Sequence, residues 1–193
     1  MATSPRILAF AGSTRTDSFN KKLVRIAAKG AEEAGAAVTL IDLRDLALPL
    51  FDQDLEAAQG PPNNARRLKT LMIESDGFLI SSPEYNSSVS AVLKNVIDWA
   101  SRPAAGEPGL VAFRGKVATI MSASPGALGG LRGLVTLRSI LGNIGVIVLP
   151  DQVAVPGSGE AFTAEGALVD PKRQGAVTAL GKGLASFLQK LKA

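Results

Sequence analysis

One loop near the beginning of the chain concentrates side chains that could bind an anion. Residues 12–20 read Gly-Ser-Thr-Arg-Thr-Asp-Ser-Phe-Asn, directly before a segment with helical periodicity. The first N–H groups of a helix have no partner within it and lie at the positive end of its dipole, so this place favours a negatively charged ligand. The hydroxyls of Ser13, Thr14 and Ser18, the guanidinium of Arg15 and the backbone amides could together satisfy a terminal phosphate. The alternative is simple capping of the helix by Ser18 or Asp17, which leaves the rest of the loop unexplained.

Two familiar phosphate motifs are missing from this loop. A Walker A motif ends in Gly-Lys followed by Ser or Thr, whereas the first lysine here is Lys21, already inside the expected helix. The dinucleotide motif Gly-x-Gly-x-x-Gly is also missing, because Gly12 stands alone. The loop therefore suits a monophosphate group better than a nucleoside triphosphate or an ordinary dinucleotide.

Two later loops carry groups suited to a flat ligand. In residues 82–88, Pro83 fixes a turn, and Tyr85, the only tyrosine of the chain, could pack against a ring. In residues 122–130, glycines allow the backbone to approach a ligand closely. The alternatives are ordinary ones: Tyr85 as a half-exposed anchor, Glu84 as a solvated acid of the turn, and 122–130 as a flexible connection.

The composition excludes several kinds of chemistry. The chain of 193 residues contains neither cysteine nor histidine. Disulfide frameworks, thiolate nucleophiles, metal sites built on Cys or His, and Ser-His-Asp catalysis are thereby excluded. Chemistry in this chain must use hydroxyls, carboxylates, amines, backbone dipoles or a bound cofactor.

The charge pattern argues against nucleic-acid and membrane partners. The net charge of +4, from 21 Lys plus Arg and 17 Asp plus Glu, is spread along the chain. One local group of bases, in residues 21–29, is predicted to be the solvated face of a helix, and no run of aromatic residues is present to stack bases. Neither a signal-peptide pattern nor an apolar segment of membrane length is present, so we expect a cytoplasmic protein with no membrane partner.

The three loops must be positioned by an alternating α/β fold. Short, wholly apolar runs alternate with segments in which apolar residues recur every three or four positions. Residues 43–62 are expected to be irregular. The predicted strands are 7–11, 38–41, 77–80, 117–121 and 144–149, and the predicted helices are 23–34, 63–75, 90–101, 130–142 and a last one around 177–191.

Five strands alternating with five helices predict a single domain, residues 1–193, built on a parallel sheet covered on both faces. In such sheets ligands bind beyond the carboxyl ends of the strands, and all three loops follow strands there. The stretch 151–170 is long for a plain connection, which predicts a packed loop or a contact between subunits.

Four motifs together resemble those of a known flavoenzyme family. They are Gly-Ser-x-Arg-x-x-Ser-x-Asn at 12–20, Pro-Glu-Tyr-Asn-x-Ser at 83–88, Leu-Lys-Asn-x-Ile-Asp-Trp at 93–99 and Ser-x-Gly-x-x-Gly-Gly at 124–130. On these motifs the chain resembles the NADPH-dependent FMN reductases, which include quinone, chromate and azo-dye reductases. One departure is Ser90-Ala91, where many relatives have Pro-Gly. It bears on the expected shape of the substrate face more than on the cofactor.

The resemblance implies a flavodoxin-like three-layer fold with strand order 2-1-3-4-5, bound FMN, NADPH as the donor, and a homodimer or homotetramer. The subunits are expected to meet through the helix around 94–99 and the loop 48–55. The implied cofactor-binding residues are Ser13, Arg15, Ser18 and Asn20 on the phosphate with Phe19 in the same loop, Pro83, Glu84, Tyr85 and Asn86 along the isoalloxazine edge, and Ser124 with Gly126 on the third side.

The resemblance also implies the reaction. NADPH passes hydride to the flavin and leaves, and a small acceptor (a quinone, a flavin, an azo compound or a metal oxyanion) then takes the electrons at the same face. No side chain is expected to act as a catalytic acid or base, because the cofactor carries the chemistry. Three other functions stay open: a flavodoxin-type electron carrier, which usually presents an acidic face, a phosphosugar or nucleotide binding module on the same fold, and a basic nucleic-acid module.

Overall fold

In the computed structural model, which describes residues 3–104 and 106–192, a five-stranded parallel sheet forms the centre of the molecule. The strands in chain order are β1 Arg6–Ala11, β2 Ala37–Ile41, β3 Gly77–Ser81, β4 Glu84–Tyr85, β5 Ser88–Val89, β6 Val117–Ala123 and β7 Ile147–Val155. The short strands β4 and β5 pair with each other in an antiparallel hairpin, and the other five form the sheet in the order β2-β1-β3-β6-β7. When the hairpin strands are left out and the five sheet strands are numbered in chain order, the order is 2-1-3-4-5. The predicted flavodoxin-like fold is therefore confirmed.

Helices cover both faces of the sheet. They are α1 Phe19–Glu33, α2 Gln53–Gln59, α3 Asn63–Glu74, α4 Ala91–Ala100, α5 Leu131–Asn143 and α6 Pro171–Lys192, with a 3₁₀ helix at Leu43–Leu46. Helices α1 and α6 pack in one core with Ile7 and Ala9, whereas α3, α4 and α5 pack in a second core with Leu8 and Phe10. After the exposed Arg6, strand β1 is wholly apolar, because a strand covered on both faces has no solvated side. No helix within residues 3–104 and 106–192 combines the length and apolarity that crossing a lipid bilayer requires.

The last strand of the sheet differs from its predicted limits of 144–149. Residues 144–146 complete the C-terminal turn of α5, and β7 continues through Pro150 to Val155. Pro150 is tolerated because β7 lies at the edge of the sheet, where its missing N–H breaks no ladder. The guanidinium of Arg138 donates to two carbonyl groups of β7 at 3.1 and 2.9 Å. These hydrogen bonds replace some of those that a further strand would make to the edge strand.

Two short helices lie in the stretch 43–62 that is predicted to be irregular. The carboxylate of Asp42 accepts a hydrogen bond from Arg44 N at 3.0 Å where the 3₁₀ helix begins. The carboxylate of Asp52 likewise accepts one from Asp54 N at 2.8 Å where α2 begins. Side-chain caps thus start both helices. No residue of α2 is buried, which explains why the sequence lacks the apolar periodicity that would predict it.

Two parts of the stretch 151–170 have regular backbone pairing. Its first five residues belong to β7, and residues 161–169 form a short hairpin, called here the 161–169 hairpin. In it, Val169 N donates to Ala161 O at 3.0 Å and Thr163 N donates to Ala167 O at 2.8 Å. Leu168 inserts into the core shared by α1 and α6. The prediction of a loop from residue 151 is therefore wrong for 151–155, which continue the edge strand, whereas beyond β7 the stretch is a packed loop within this chain, one of its two predicted alternatives.

Two glycines set the distance between α1 and α6. A Cβ atom on Gly181 would lie 1.8 Å from the carbonyl oxygen of Ala27, and one on Gly30 would lie 2.2 Å from that of Thr178. Backbone therefore lies against backbone at the crossing of the two helices, and any side chain there would force them apart.

We expect Gly181→Ala to destabilise the protein by about 1–3 kcal/mol, since the added methyl group must separate two packed backbones. Gly183→Ala is the matched control, because a Cβ atom on Gly183 of the same helix would meet nothing within 4 Å. The control should be neutral or stabilising by up to about 1 kcal/mol, owing to the higher helix propensity of alanine. Urea unfolding measures both effects, and equal effects would contradict the packing argument.

Candidate functional site

The three predicted loops meet at one end of the sheet. Backbone hydrogen bonds continue the parallel ladder just past the strands, where Gly12 N donates to Ser81 O and Ser82 N donates to Met121 O, both at 2.8 Å. Each loop therefore leaves the sheet from a fixed position beside its neighbour. This is the edge at which parallel sheets bind ligands.

A cavity of about 200 Å³ lies between these loops, at the carboxyl ends of β1, β3 and β6. Nine of the eleven predicted cofactor-binding residues line it. The two others, Asn86 and Gly126, are exposed in the turns of their loops. Ala123 and Pro125 line it as well, although residues of these types carry no functional signal in the sequence. The lining residues are Ser13, Arg15, Ser18, Phe19, Asn20, Pro83, Glu84, Tyr85, Ala123, Ser124 and Pro125.

The N-terminus of α1 opens towards this cavity without a cap. Ser18 occupies the capping position, yet its hydroxyl makes no capping hydrogen bond to the helix, and the first turn contains no acidic residue. Within the described part of the chain, no hydrogen bond uses the backbone N–H groups of Ser18 or Phe19. Simple capping, the predicted alternative, is therefore not what the structure shows. The hydroxyl, the N–H groups and the helix dipole all remain available to a ligand.

Two guanidinium groups flank this helix end. Arg15 is exposed, and its guanidinium carbon lies 4.8 Å from the centre of the Phe19 ring. Arg44, which follows β2, donates to the hydroxyl of Thr16 at 2.5 Å. Arg44 is not among the predicted residues. Arg44 comes just after β2, which is the parallel neighbour of β1, so the two strands end at the same edge of the sheet. That position in the sequence could have identified Arg44 as a candidate.

Asn20 joins the loops to one another through its side-chain amide. Its oxygen accepts hydrogen bonds from Ala123 N at 3.0 Å and from the Ser81 hydroxyl at 2.8 Å, and its nitrogen donates to Ala123 O at 2.9 Å. All three residues are buried. The amide thus pairs with Ala123 as a neighbouring strand would, and it leaves one amide N–H for the predicted contact with a phosphate.

Ser90 is the position at which the resemblance leads us to expect a proline. Its hydroxyl donates to Gly12 O at 2.6 Å and accepts a hydrogen bond from Leu93 N at 3.2 Å. The serine therefore caps α4 and holds the first loop against it. Gly12 must be a glycine here, because a Cβ atom on it would lie 2.9 Å from the Cβ of Leu93. Hydrogen bonding thus supplies the fixed helix start that a proline ring would otherwise supply.

The carboxylate of Glu84 is fixed at the N-terminus of α5. It accepts hydrogen bonds from Gly133 N at 3.0 Å and from Nε and Nη2 of Arg132 at 3.0 and 2.8 Å. Burial raises the pKa of this carboxyl group, but the Gly133 N–H and the Arg132 guanidinium lower it by more, so the pKa lies below its ordinary value. The side chain is only 9% exposed, so Glu84 is not the solvated acid of the predicted alternative.

Tyr85 stands beside the cavity on the β4–β5 hairpin. Positive φ angles of +52° at Asn86 and +64° at Ser87 form the tight turn of this hairpin, whose twist matches that of its strands. Tyr85 is 58% exposed, so its ring is not part of either core. An aromatic ring in this position can cover a flat ligand.

A larger cavity of about 530 Å³ lies away from these loops, beside α3 and the C-terminal end of α4. Two ion pairs border it, Arg102 with Glu56 at 2.8 Å and Lys69 with Glu107. None of the predicted site residues lines it. Because these charges compensate one another, we do not assign this cavity to a phosphate ligand.

Comparison with known proteins decides which family has this arrangement. The family model described as NADPH-dependent FMN reductase matches residues 5–160, which include the three loops and the five strands of the sheet. The chain belongs to the NADPH-dependent FMN reductase family. The resemblance found in the four motifs is thereby confirmed.

Individual relatives agree with the family. An NAD(P)H-dependent FMN reductase of Pseudomonas aeruginosa is 33% identical over 193 residues, with 100% of both chains covered. A quinone reductase of Escherichia coli is 30% identical over 198 residues, again with 100% of both chains covered. Among solved structures, the flavoenzyme NAD(P)H:(acceptor) oxidoreductase FerB of Paracoccus denitrificans matches with a TM-score of 0.80 at 29% identity, covering 96% of this chain and 98% of that one.

Membership of the NADPH-dependent FMN reductase family makes this chain an enzyme, an oxidoreductase that uses FMN and NAD(P)H. The predicted enzyme class and the two predicted cofactors are therefore confirmed.

The geometry of the cavity fits an FMN group. Ser13 and Ser18 are buried residues, 6% and 3% exposed, that line the cavity beside an uncapped helix end that suits a phosphate. The volume of about 200 Å³ is below the roughly 300–1,000 Å³ of pockets that enclose a drug-sized ligand. Such a cavity can hold the phosphate end firmly while leaving part of a flavin ring accessible.

The lowered pKa of Glu84 predicts a pH-dependent contribution to stability. A carboxyl group with a lower pKa in the folded than in the unfolded state, where it is about 4.3, stabilises the fold above that value and ceases to do so as the pH falls through the folded pKa. We expect Glu84→Gln to cost about 1–3 kcal/mol at neutral pH. The difference from wild type should shrink below about pH 4.

Urea unfolding at a series of pH values measures this difference. Glu160→Gln is the control, since Glu160 is exposed and lies outside the ion pairs that the structure describes. If Glu84→Gln lost the same free energy of unfolding at every pH, the lowered pKa of the Glu84 carboxyl group in the folded state would be contradicted.

Proposed function

We propose that the cavity between the three loops holds FMN, with its phosphate at the N-terminus of α1 and its ring along the second loop, in a single domain spanning residues 1–193. The protein then transfers hydride from NADPH to a small acceptor, which is a quinone, a flavin, an azo compound or a metal oxyanion. The observation that carries this proposal is the unused Ser18 hydroxyl beside Arg15 at an uncapped helix end. Relatives named quinone reductases favour a quinone within this set.

The phosphate end can be built from groups already in place. The Ser13 hydroxyl accepts the N–H of Arg15 at 3.3 Å, so its own proton is free for a phosphate oxygen. The Ser18 hydroxyl and the N–H groups of the first turn of α1 lie next to it. Arg15 and Arg44 supply positive charge against the nearly two negative charges of a terminal phosphate.

The ring end is bounded by apolar and neutral groups. Pro83, Tyr85 and Ser124 line this part of the cavity. Glu84 also belongs to the lining, but its carboxylate is bound to Arg132 and to the N-terminus of α5. The negative charge of Glu84 is therefore compensated and does not oppose the arrival of electrons at a nearby ring.

The chemistry that FMN supplies when bound is hydride transfer, first from NADPH and then to the acceptor, in two successive steps at one face. The residues of the chain bind and orient the reactants, and we assign no catalytic acid or base. Because the cavity encloses only part of a flavin nucleotide, NADPH and the acceptor can approach in turn from the open side.

The deciding experiment loads the purified protein with FMN and follows the oxidation of NADPH with a quinone as the only acceptor. We expect a yellow holoprotein that turns over without any partner protein. A yellow protein without turnover would instead indicate a flavodoxin-type electron carrier. A protein that stays colourless after incubation with FMN would reject the proposed site and favour a module for other phosphorylated ligands.

Arg15→Ala tests the proposed phosphate end. Losing a guanidinium that hydrogen-bonds a phosphate should raise the Kd for FMN about ten- to a hundredfold, while the Kd for riboflavin, which lacks the phosphate, should change little. Fluorescence titration with both ligands measures the difference. Arg67→Ala is the matched control, because Arg67 is an exposed arginine of α3 that does not line the cavity. An unchanged Kd for FMN in Arg15→Ala would place the phosphate elsewhere.

We further propose a homodimer or homotetramer whose subunits meet through residues 94–99 of α4 and the loop 48–55. These segments are joined within the chain, since the side chains of Asn95 and Trp99 both donate to Pro49 O, at 2.9 and 2.8 Å. Trp99 is 1% exposed and belongs to the chain's own interior, whereas Leu50 is 76% exposed. Leu50 is therefore the apolar side chain of this surface that a second copy would cover.

The proposed location of the enzyme is the cytoplasm, where NADPH is regenerated. Cell fractionation followed by detection of the protein tests this location.

Leu50→Asp tests the proposed subunit contact. A carboxylate at the centre of an apolar interface costs its desolvation, so we expect light scattering to show a lower molar mass than for wild type. Val169→Asp is the control, because Val169 is 62% exposed on the 161–169 hairpin, outside the proposed contact. A wild-type monomer, or an unchanged mass of Leu50→Asp, would contradict the contact.

A further inference from the structure

Arg15 belongs to a stack of three side chains that extends behind the first loop. Its guanidinium carbon lies 4.8 Å from the centre of the Phe19 ring. The Phe19 ring in turn stacks on Phe162, with ring centres 5.8 Å apart and planes inclined by 10°. Phe162 is on the 161–169 hairpin, beyond residue 160, where the match to the family model ends. Neither the motifs nor the proposed function assigns a role to this hairpin.

The hairpin is a firm support for its aromatic ring. Phe162 pairs with Leu168 in an isolated β-bridge, and Leu168 is 5% exposed in the core shared by α1 and α6. The backbone N–H of Leu168 donates to the side chain of Gln174 on α6 at 2.8 Å. The position of the Phe162 ring is therefore set by a buried anchor and by the last helix.

Arg15 needs such support because the chain provides it with few other constraints. It is exposed, and none of the salt bridges among the described residues involves it. A long exposed side chain has many rotamers, and ordering it on binding costs conformational entropy. A guanidinium lying over an aromatic face is attracted to the ring and keeps its in-plane N–H donors free for a phosphate. The stack thus orders the donor before the ligand arrives.

We propose that Phe162 is a positioning residue for Arg15 and that the 161–169 hairpin thereby tunes the affinity of the site for the phosphate of FMN. This inference rests on the proposed function in one respect, that Arg15 binds the phosphate. It assigns Phe162 no contact with the cofactor. The competing explanation is that Phe162 only fills space beside α1.

Phe162→Leu distinguishes the two explanations, since leucine keeps an apolar side chain packed against the core but removes the stacked ring. Phe162→Leu leaves Phe19 in place but removes the ring that supports it, so we expect the Kd for FMN to rise by up to about fivefold, which corresponds to complete loss of the exposed Arg15–Phe19 contact, with the Kd for riboflavin unchanged. Phe162→Tyr keeps the ring and should restore the wild-type value. Phe187→Leu is the matched control, because Phe187 of α6 is partly buried against the same core and belongs to no described stack with Arg15.

A double-mutant cycle shows whether Phe162 acts through Arg15. In the Arg15→Ala background, Phe162→Leu should have no further effect on the Kd for FMN. An effect that persists in that background, an unchanged Kd in Phe162→Leu, or an equal loss for FMN and riboflavin would overturn the inference. A wild-type protein that binds FMN while Arg15→Ala binds it equally well would overturn the placement of the phosphate, and the role of Phe162 with it. Failure of wild type to bind FMN would reject the proposed function itself.

Discussion

The hydrogen bonds of the Asn20 side chain hold the candidate site together. Loops that leave a parallel sheet have no ladder to define them, and a segment rich in serine and glycine has many conformations to lose. The amide of Asn20 meets both backbone groups of Ala123 and the hydroxyl of Ser81 in a buried place, where polar groups left unpaired would be costly. Since Asn20 is the second residue of α1, the same bonds fix the start of that helix relative to β3 and β6. The proposed phosphate end and the third loop therefore keep one relative position.

The three helices that begin beside the cavity show where the site can accept negative charge. The N-terminus of α4 is capped by the Ser90 hydroxyl, and that of α5 is occupied by the Glu84 carboxylate. The N-terminus of α1 has neither a cap nor an acid in its first turn, and Arg15 and Arg44 stand beside it. Each helix dipole is positive at this end. The Ser90 hydroxyl and the Glu84 carboxylate already satisfy the ends of α4 and α5, so the end of α1 is the one that remains to attract an anion. Under the proposed function, a chain without histidine or cysteine thus prepares a site for a phosphorylated redox cofactor from backbone dipoles, hydroxyls and guanidinium groups.

The sequence predicts the sheet and the three loops because both depend on short-range patterns, such as apolar runs and the residues that end them. It does not predict contacts that depend on distant parts of the chain. Pro150 looks like the end of a strand until β7 is known to be an edge. Asn20 looks like a residue that serves a phosphate alone until Ala123, about a hundred residues later, is seen to pair with its amide oxygen and with one of its two amide N–H groups. Phe162 carries no motif, and its link to Arg15 exists only through the fold.

The proposed reaction separates the tasks of the two ends of the cavity. In the proposed reaction NADPH and the acceptor reach the same ring in turn, so the ring cannot be fully enclosed, and the phosphate end must supply binding free energy that does not depend on covering the ring. There it depends on charges and hydrogen bonds, which weaken steeply when a guanidinium is displaced. The 161–169 hairpin reaches this end from beyond the last strand through the Phe162–Phe19 stack, and none of its residues lines the cavity. Under the proposed function, changes at Phe162 can therefore alter retention of the cofactor without altering the surfaces that meet the donor and the acceptor.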